Sequence, residues 1–355
     1  MDFSSLLIKW YKENKRNLPW RKTTDPYKVW LSEIILQQTR VEQGLSYYLK
    51  FIQHYPTIDK LANATEEEVL KLWQGLGYYS RARNLYFTAK YIVNNYNSKF
   101  PNNYKEILAL KGIGEYTAAA ISSFSYNMPY PVIDGNVYRV LSRVFNISTP
   151  IDSTQGKKDF KELATELIDK NNPAEYNQAI MEFGALQCKP KSPNCSECIF
   201  IDNCLAYSNN TVDNLPVKEK KIKVRNRFFN YLVFTDEQSI LIKNRTEKDI
   251  WQGLFDFPLI ESTKPIDQFQ DLCLDKYKVM NNLAIKSIDK SNEYIHILSH
   301  QKIHATFWSI KMNDINSIHT NELKILKSEL EKYPVPKLIE NFSYKKVKMS
   351  TFDNL

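Results

Sequence analysis

The sequence predicts a multi-domain protein, with an all-α first domain and an α+β second domain, and three observations predict this fold class. Apolar residues recur three or four positions apart through most of residues 1–207, which is typical of amphipathic helices. Residues 208–226 are mostly polar and charged, which is typical of a linker. Residues 227–355 combine short strand-like apolar runs with further helical stretches. A chain of 355 residues is also long enough for about two domains.

The first domain is predicted to be almost entirely helical. One helix has a clear start at Asp25 and Pro26, because an N-cap residue is followed by proline at the first helical position. The predicted helices include residues 26–38, 66–72, 82–96, 104–110, 117–126, 137–144, 157–168 and 176–186.

The second domain is predicted to contain both strands and helices. Residues 228–234 and 239–242 have the pattern of two strands joined by a short turn at 236–238. Residues 295–298 and 302–311 are two further predicted strands. The predicted helices are residues 266–276, 321–331 and 337–342.

The charge of the chain gives only a weak indication of its partners. The chain carries 48 Lys and Arg residues against 40 Asp and Glu residues, a net charge of +8. This excess favours anionic partners such as DNA, although a lysine-rich surface explains it equally well. No apolar run approaches the roughly 18 residues of a membrane span, and the N-terminus is a charged amphipathic stretch rather than a signal peptide. We therefore expect a cytoplasmic protein without a membrane partner.

Four of the five cysteines lie in one short segment, with the spacing Cys188-x6-Cys195-x2-Cys198-x5-Cys204. A cytosolic chain is not expected to form disulfides there. Zinc fingers usually use two CxxC pairs or Cys with His, whereas this segment has one CxxC pair and no nearby His. The spacing therefore favours an iron–sulfur cluster held by four thiolates, with zinc and unligated thiols as alternatives.

Residues 110–118 (LKGIGEYTA) predict a helix, a tight Gly-x-Gly turn and a second helix. The turn contains Gly112 and Gly114, and it would expose backbone N–H groups at a helix N-terminus, where a DNA phosphate can bind. Glycine at such a turn lets the phosphate approach the backbone closely. An ordinary turn between two helices is an equally good interpretation of these residues alone.

Two carboxylates are candidates for catalysis. Asp134 follows a proline-containing loop and precedes a predicted helix, so it is either an N-cap residue or a carboxylate that faces a developing positive charge. Glu33 lies in an apolar helical segment, where loss of solvent would raise its pKa and favour a general acid. Alternatively, Glu33 faces solvent or pairs with a lysine.

Several strings of the first domain together resemble the helix-hairpin-helix DNA glycosylases of the endonuclease III superfamily. Within that superfamily, the chain is most similar to the A/G-specific adenine DNA glycosylases. The resemblance covers nearly all of residues 1–207. It depends on the cysteine segment, the Gly-x-Gly turn and the strings at residues 18–21 (LPWR), 32–39 (SEIILQQT), 73–83 (WQGLGYYSRAR) and 132–137 (VIDGNV).

The resemblance implies a reaction and a set of roles. The family removes adenine paired with 8-oxoguanine or guanine in double-stranded DNA after flipping the adenine out of the duplex. Glu33 would protonate N7 of adenine, and ionised Asp134 would stabilise the sugar oxocarbenium. The resemblance further implies catalytic support by Tyr116 and Asn136, contact with the adenine edge by Arg21 and Gln178, and wedging into the duplex by Gln38 and Tyr78.

The resemblance also implies a cofactor and a mode of reaction. The four cysteines would hold a [4Fe–4S] cluster, and Lys189 and Lys191 in the same loop would approach a DNA phosphate. Relatives that also cut the strand carry lysine where this chain has Tyr116, and that amine forms a Schiff base. We therefore expect a monofunctional, monomeric enzyme that leaves an abasic site and works on the bacterial nucleoid.

The second domain resembles the Nudix-like domain at the C-terminus of these glycosylases, through residues 251–258 (WQGLFDFP). The carboxylate-rich Nudix catalytic motif is missing, so a recognition module is expected rather than a hydrolase. Ser299 and His300 match the short family loop that reads 8-oxoguanine, and an ordinary turn between two strands is the alternative.

Two other functions fit parts of the sequence. A pyrimidine-damage or thymine-mismatch glycosylase would share the first domain, but Tyr116 and the additional domain argue against its strand-cutting form. A non-catalytic DNA-binding iron–sulfur protein would need neither Glu33 nor Asp134, and both carboxylates are present.

Overall fold

The computed structural model describes residues 2–219, 224–272, 285–318 and 320–343, which form two compact units. The first unit comprises Met1–Asn63 and Asn84–Lys221, and the second comprises Ala64–Arg83 and Ile222–Leu355. The first unit is helical, and the second combines a mixed β-sheet with short helices. The predicted fold class is therefore confirmed.

Helices follow one another with short connections from the N-terminus to Ser208. Every predicted helix of this region is present, with ends that differ from the prediction by a few residues. In chain order the helices are α1 (Phe3–Asn14), α2 (Pro26–Leu36), α3 (Val41–His54), α4 (Ile58–Ala62), α5 (Glu66–Leu72), α6 (Ser80–Tyr96), α7 (Tyr104–Ala109), α8 (Glu115–Tyr126), α9 (Gly135–Val144), α10 (Thr154–Leu167), α11 (Pro173–Leu186) and α12 (Leu205–Ser208).

The first unit is held together by an apolar core between α1, α9, α10 and α11. Leu7, Leu141, Phe160 and Phe183 are fully or almost fully buried in this core. Burial of each such side chain contributes about 1.5–3 kcal/mol to the free energy of unfolding. The core fixes α9 and α11 against each other. It thereby positions the candidate site residues Asn136 on α9 and Gln178 on α11.

The second unit contains a mixed sheet in which β1 and β7 run parallel and the other pairs run antiparallel. The strand order is β3-β2-β1-β7-β5, with β4 paired to β1, β6 to β7 and β8 to β2. The strands are β1 (Arg225–Thr235), β2 (Ser239–Asn244), β3 (Phe255–Asp256), β4 (Leu259–Ser262), β5 (Ile285–Lys290), β6 (Tyr294–Ile297), β7 (Gln301–Met312) and β8 (Leu323–Leu326).

The four predicted strands and the helix at residues 337–343 are confirmed, but two other predicted helices are not. Within residues 266–276, the described part contains only a 3-10 turn at Phe269–Asp271, and residues 273–276 lie outside the described residues. The prediction for residues 321–331 was wrong, since they form β8 and the start of a 3-10 helix at Lys327–Lys332. The reason is tertiary: Leu323–Leu326 pairs with residues 239–242 of β2, which β3 leaves unpaired, and Ile325 is buried there.

Part of the predicted linker packs against the first unit. Leu215 is buried, and the carbonyl of Val217 accepts a hydrogen bond of 3.0 Å from the backbone N–H of Ile151. A 3-10 turn at Val212–Asn214 precedes them. The domain boundaries at residues 207 and 227 stay a prediction. In the part of the chain that is described, no helix combines the length and the apolar character that crossing a membrane requires.

Candidate active site

A cavity of about 610 Å³ opens in the first unit between α2, α8, α9 and α11. Glu33 and Asp134 both line it, although they are about a hundred residues apart in the chain. The two candidate carboxylates therefore share one cavity, as the predicted chemistry requires. Other polar side chains of the lining include Arg16, Arg21, Tyr116, Asn136, Arg139, Gln178 and Glu182.

Glu33 lies on the buried face of α2 and is only 6% exposed. Its carboxyl accepts a hydrogen bond of 2.9 Å from the Tyr116 hydroxyl, which comes from α8. Burial raises the pKa of Glu33 to about 7, against the lowering effects of the Tyr116 hydrogen bond and the charge of Arg21. A solvent-facing or lysine-paired Glu33 is therefore excluded, and at neutral pH a large fraction of this side chain carries a proton.

Asp134 is the N-cap residue of α9, which confirms the capping interpretation, and it also lines the cavity. Its role beside a developing positive charge stays a prediction. One carboxylate oxygen accepts hydrogen bonds of 2.8 Å from the backbone N–H groups of Asn136 and Val137. The other accepts a hydrogen bond of 2.7 Å from the Asn136 amide. Burial raises the pKa of Asp134, while these hydrogen bonds and the charge of Arg139 oppose the rise.

Asn136 is held on both sides of its amide. Its Nδ2 group donates to Asp134, and its Oδ1 accepts a hydrogen bond of 2.8 Å from Arg139. Arg139 also donates to the backbone carbonyl groups of Gly184 and Cys188, at 2.6 and 2.8 Å. A Cβ atom on Gly184 would come within 2.7 Å of the Asn136 Cβ. Glycine at this point of α11 therefore permits the close approach of the helix to Asn136.

The lining of the cavity also contains an ionic cluster that sequence reasoning missed. The side chain of Glu182 on α11 is fully buried and bridges Arg16 and Arg21, both of which lie before α2. Burial acts to raise the pKa of Glu182, but hydrogen bonds from Arg21 and Arg16 outweigh it and bring the pKa to about 2. Glu182, like Glu33, is a carboxylate in an apolar helical segment, so the sequence alone gave no signal that distinguishes the two residues.

Of the residues expected at the adenine edge, Arg21 and Gln178 both line the cavity. The Gln178 carbonyl oxygen accepts a hydrogen bond of 2.6 Å from the Tyr11 hydroxyl, which leaves the Gln178 amide group as a donor. The Arg21 guanidinium lies over the Tyr11 ring, 5.7 Å from its centroid. Tyr11 thus supports both side chains.

The two residues expected to wedge into DNA lie outside this cavity. Gln38 belongs to the first unit and Tyr78 to the second. Both have left-handed backbone conformations, with φ of 56° and 47°. Such conformations are uncommon for residues other than glycine and occur often at functional positions.

The Gly-x-Gly turn joins α7 to α8. Gly112 has φ of 80°, and a Cβ atom there would come within 2.6 Å of the Asn84 side chain. Gly114 is the N-cap residue of α8, and a Cβ atom on it would meet no atom within 4 Å. The turn itself therefore requires glycine at position 112, whereas position 114 faces open space beside the N-terminus of α8.

The four cysteines at the C-terminal end of the first unit are free and half-buried. Cys188, Cys198 and Cys204 pack against the apolar core. The Arg143 guanidinium donates to the Cys188 sulfur at 3.5 Å, and the backbone N–H of Phe200 donates to the Cys198 sulfur at 3.4 Å. Four free thiols in a partly apolar loop, two of which accept N–H hydrogen bonds, have the donor chemistry of a cluster held by thiolates, although no three His, Cys, Asp or Glu side chains of the described residues are grouped so as to hold a single metal ion. Lys189 and Lys191 are exposed in the same loop.

The second unit has a separate cavity of about 310 Å³. Ser299 and His300 line it from the turn between β6 and β7, which is closed by a hydrogen bond of 2.8 Å from the Leu298 N–H to the Gln301 carbonyl. The predicted turn between two strands is therefore present, and its residues Ser299 and His300 also line a cavity. Tyr78 lines the same cavity, and its hydroxyl is hydrogen-bonded to the Ser299 hydroxyl.

A hairpin of two helices and a cavity with two carboxylates define the class of helix-hairpin-helix DNA glycosylases. Residues 31–168 match the model of the HhH-GPD superfamily of base excision DNA repair proteins, and residues 230–343 match that of the NUDIX domain. The chain is 36% identical over 305 residues to the adenine DNA glycosylase of Buchnera aphidicola subsp. Schizaphis graminum, covering 86% of this chain and 85% of the relative. The chain belongs to the adenine DNA glycosylase family.

Solved structures agree on the fold of the first part of the chain. A thermostable thymine-DNA glycosylase is 30% identical to this chain, with a TM-score of 0.55. The match covers 58% of this chain and 95% of that protein. Endonuclease III in a non-covalent complex with DNA is 20% identical, with a TM-score of 0.51 and 58% and 94% coverage. The second of these likenesses concerns the fold alone.

Proposed function

We propose that this enzyme removes adenine paired with 8-oxoguanine or guanine in double-stranded DNA and leaves an abasic site. One observation carries the proposal: Glu33 and Asp134 line one cavity and have different hydrogen-bond partners. Cleavage of a glycosidic bond by paired carboxyl groups uses one that donates a proton and a second that stays ionised beside the sugar. The cavity also lies within a DNA repair glycosylase fold.

In this proposal Glu33 is the general acid. Its pKa of about 7, which burial raises, keeps a large fraction protonated at neutral pH. Protonation of N7 turns adenine into a better leaving group. Tyr116 orients the Glu33 carboxyl through its hydroxyl, and the buried tyrosine stays neutral because burial raises its own pKa.

Asp134 is proposed to stay ionised and to stabilise the positive charge that develops on the sugar. Two backbone N–H groups at the start of α9 and the Asn136 amide favour its charged form. Asn136 is in turn oriented by Arg139. Asp134 would either act through its charge or form a short-lived bond with the sugar.

The target adenine must leave the duplex to enter the cavity. We propose that Arg21 and Gln178 contact the edge of the flipped base, which their place in the lining supports. Gln38 and Tyr78 would fill the gap in the duplex, since an unstacked step costs roughly a few kcal/mol. The left-handed backbone conformation of both residues, which is frequent at functional positions, supports this role.

Phosphate contacts would position the DNA without reading its sequence. The open space beside Gly114 at the N-terminus of α8 leaves room for a phosphate, and Gly112 allows the turn that precedes it. The exposed Lys189 and Lys191 would contact a second phosphate. Together these groups would hold the duplex at the α7–α8 turn and at the cysteine loop.

The second unit is proposed to recognise 8-oxoguanine through Ser299 and His300. A hydroxyl and an imidazole can both hydrogen-bond the edge of the lesion. Their position in a cavity, on a turn fixed between two strands, supports this role. The recognition domain is proposed to comprise residues 227–355, and residues 208–226 are proposed to be the linker that precedes it.

Cys188, Cys195, Cys198 and Cys204 would hold a [4Fe–4S] cluster that stabilises the loop containing Lys189 and Lys191. When bound, the cluster would supply a redox-active centre, and the base chemistry described above does not pass through it. The enzyme is proposed to act as a monomer on chromosomal DNA in the bacterial cytoplasm.

The proposal is tested with duplexes in which adenine, thymine or cytosine lies opposite 8-oxoguanine or guanine. We expect free adenine and an alkali-labile abasic site from the adenine duplexes alone, under single-turnover conditions. With Tyr116 in place of a Schiff-base lysine, borohydride should trap no stoichiometric covalent complex. Release of thymine in preference to adenine would contradict the assigned substrate, and a stoichiometric trapped complex would contradict the monofunctional mechanism.

A further inference from the structure

Glu182 is a buried carboxylate that the proposed chemistry leaves without a role. Arg16 donates to it from its backbone N–H, Nε and Nη2, at 2.9, 2.9 and 2.6 Å. Arg21 donates from both terminal nitrogens, at 2.8 and 2.7 Å. All of these donors come from the segment before α2, so the clamp fixes the direction of both guanidinium groups at the cavity wall.

The position of these arginines matters because they share the cavity with Glu33. A positive charge near a carboxyl group favours loss of its proton. Arg16, Arg21 and Glu182 together carry a net charge of +1, whereas the two arginines alone would carry +2. An arginine released from Glu182 would also be free to turn towards Glu33, which lines the same cavity.

We propose that Glu182 is a positioning residue, which fixes Arg16 and Arg21 in the cavity wall and offsets their charge so that Glu33 keeps its proton at neutral pH. This inference rests on the proposed function, because a protonated Glu33 matters only to an enzyme that uses it as an acid. Glu182 itself needs no contact with the substrate.

Other charged and titratable groups face Glu33 from the elements packed around it. Tyr116 lies on α8, Asp134 precedes α9, and Arg21 precedes α2. The remaining charged residues of the lining are Arg16, Arg40, Glu42, Arg139 and Glu182. Because Glu182→Gln changes none of the others, a shift between this variant and the wild type reports the contribution of the clamp.

The test compares the pH dependence of adenine excision in the wild type and in Glu182→Gln. Second-order rate constants, measured below saturating enzyme, report the free protein. We expect the fall in rate at alkaline pH to begin about one pH unit lower in the variant, which gives about a tenfold additional loss at pH 8. Glu182→Asp keeps the charge and should move the profile back towards the wild type.

Glu175→Gln is the matched control. It removes the same charge from the same helix, but Glu175 does not line the cavity that holds Glu33. Its profile should coincide with that of the wild type. If Glu182→Gln lowers the rate by one factor at every pH, the clamp is only structural and the inference is wrong.

A variant that fails to fold would not end the test. Arg16→Met leaves Glu182 with Arg21 alone, so less positive charge remains in the cavity. The fall in excision rate at alkaline pH should therefore move to higher pH. An unchanged pH profile would contradict the inference. A wild type that releases no adenine would overturn the proposed function instead. In that case the stability of the fold still tests the clamp. The pH range over which Glu33 lowers the free energy of unfolding is found by comparison with Glu33→Gln, once in the wild-type background and once in the Glu182→Gln background. A difference between the two ranges reports the effect of the clamp.

Discussion

Glu33 on α2 and Glu182 on α11 line the same cavity and are both buried, yet their carboxyl groups differ in almost every other respect. Glu33 accepts one hydrogen bond from a neutral hydroxyl, and burial raises its pKa to about 7. Glu182 is buried as deeply, but two arginines surround it and its pKa is about 2. Burial alone therefore does not determine which acid carries a proton.

The difference follows from the charge of the donors. Loss of solvent disfavours the ionised form of both side chains, and a neutral donor restores only part of that loss. Two guanidinium groups in bidentate geometry restore more than was lost. One cavity thus contains a carboxyl group with a raised pKa and a second carboxyl group that is ionised at neutral pH, and four predictions test this difference.

The largest effect is expected from Glu33→Gln. The amide cannot donate a proton of suitable acidity, so adenine release should fall by about a thousandfold or more. Binding to DNA that contains 8-oxoguanine should change little, because no phosphate or lesion contact is removed. Single-turnover excision and a binding titration measure the two quantities. Glu162→Gln, an exposed change on α10, is the control, and near wild-type excision by Glu33→Gln would remove the acid assignment.

Asp134→Asn should have the next largest effect on the rate, about a hundredfold to a thousandfold. Asparagine is as good an N-cap residue as aspartate, so α9 should keep its stability while the negative charge is lost. The melting temperature and the excision rate are to be measured on one preparation. A large fall in melting temperature that accounts for the lost activity would leave Asp134 with only its capping role.

The stability of the protein should depend on pH through Glu33. Its ordinary pKa is 4.5 and its pKa in the folded protein is about 7. Between these values the folded state binds more protons than the unfolded chain, so the free energy of unfolding falls as pH rises, by up to about 3 kcal/mol. Denaturant unfolding of the wild type and Glu33→Gln at pH 4.5 and 7.5 measures this. An equal pH dependence in the two proteins would contradict the raised pKa.

The smallest effect is expected in the second unit. Replacing Ser299 and His300 with alanine removes two side chains that are proposed to hydrogen-bond 8-oxoguanine, each contributing about 1 kcal/mol. The preference for 8-oxoguanine over guanine opposite adenine should fall about tenfold or more, while excision from the guanine duplex stays nearly unchanged. An unchanged preference would exclude this turn from recognition of the lesion.

The sequence predicted the helical unit well because its signals are local. Asp25 with Pro26 marks the start of α2, and the apolar periodicity gives the remaining helices to within a few residues. The placement of Glu33 and Asp134 in one cavity was predicted through the family resemblance, since spacing alone cannot bring distant segments together. Roles for both residues stay predictions.

Long-range pairing is what the sequence could not provide. Residues 321–331 have a helical pattern, but the edge of β2 gives Leu323–Leu326 a partner that outweighs local preference. Glu182 was missed for a similar reason, because its partners Arg16 and Arg21 lie more than 160 residues earlier in the chain. No short motif carries a contact of that separation.

The most direct test of the comparison is the pH profile of adenine excision by the wild type, measured as a second-order rate constant from pH 5 to 9 on a duplex with adenine opposite 8-oxoguanine. A protonated Glu33 in the free enzyme predicts a nearly constant rate below pH 7 and a fall that approaches tenfold per pH unit above it. A rate that stays constant up to pH 9 would show that the reaction does not need the proton on Glu33.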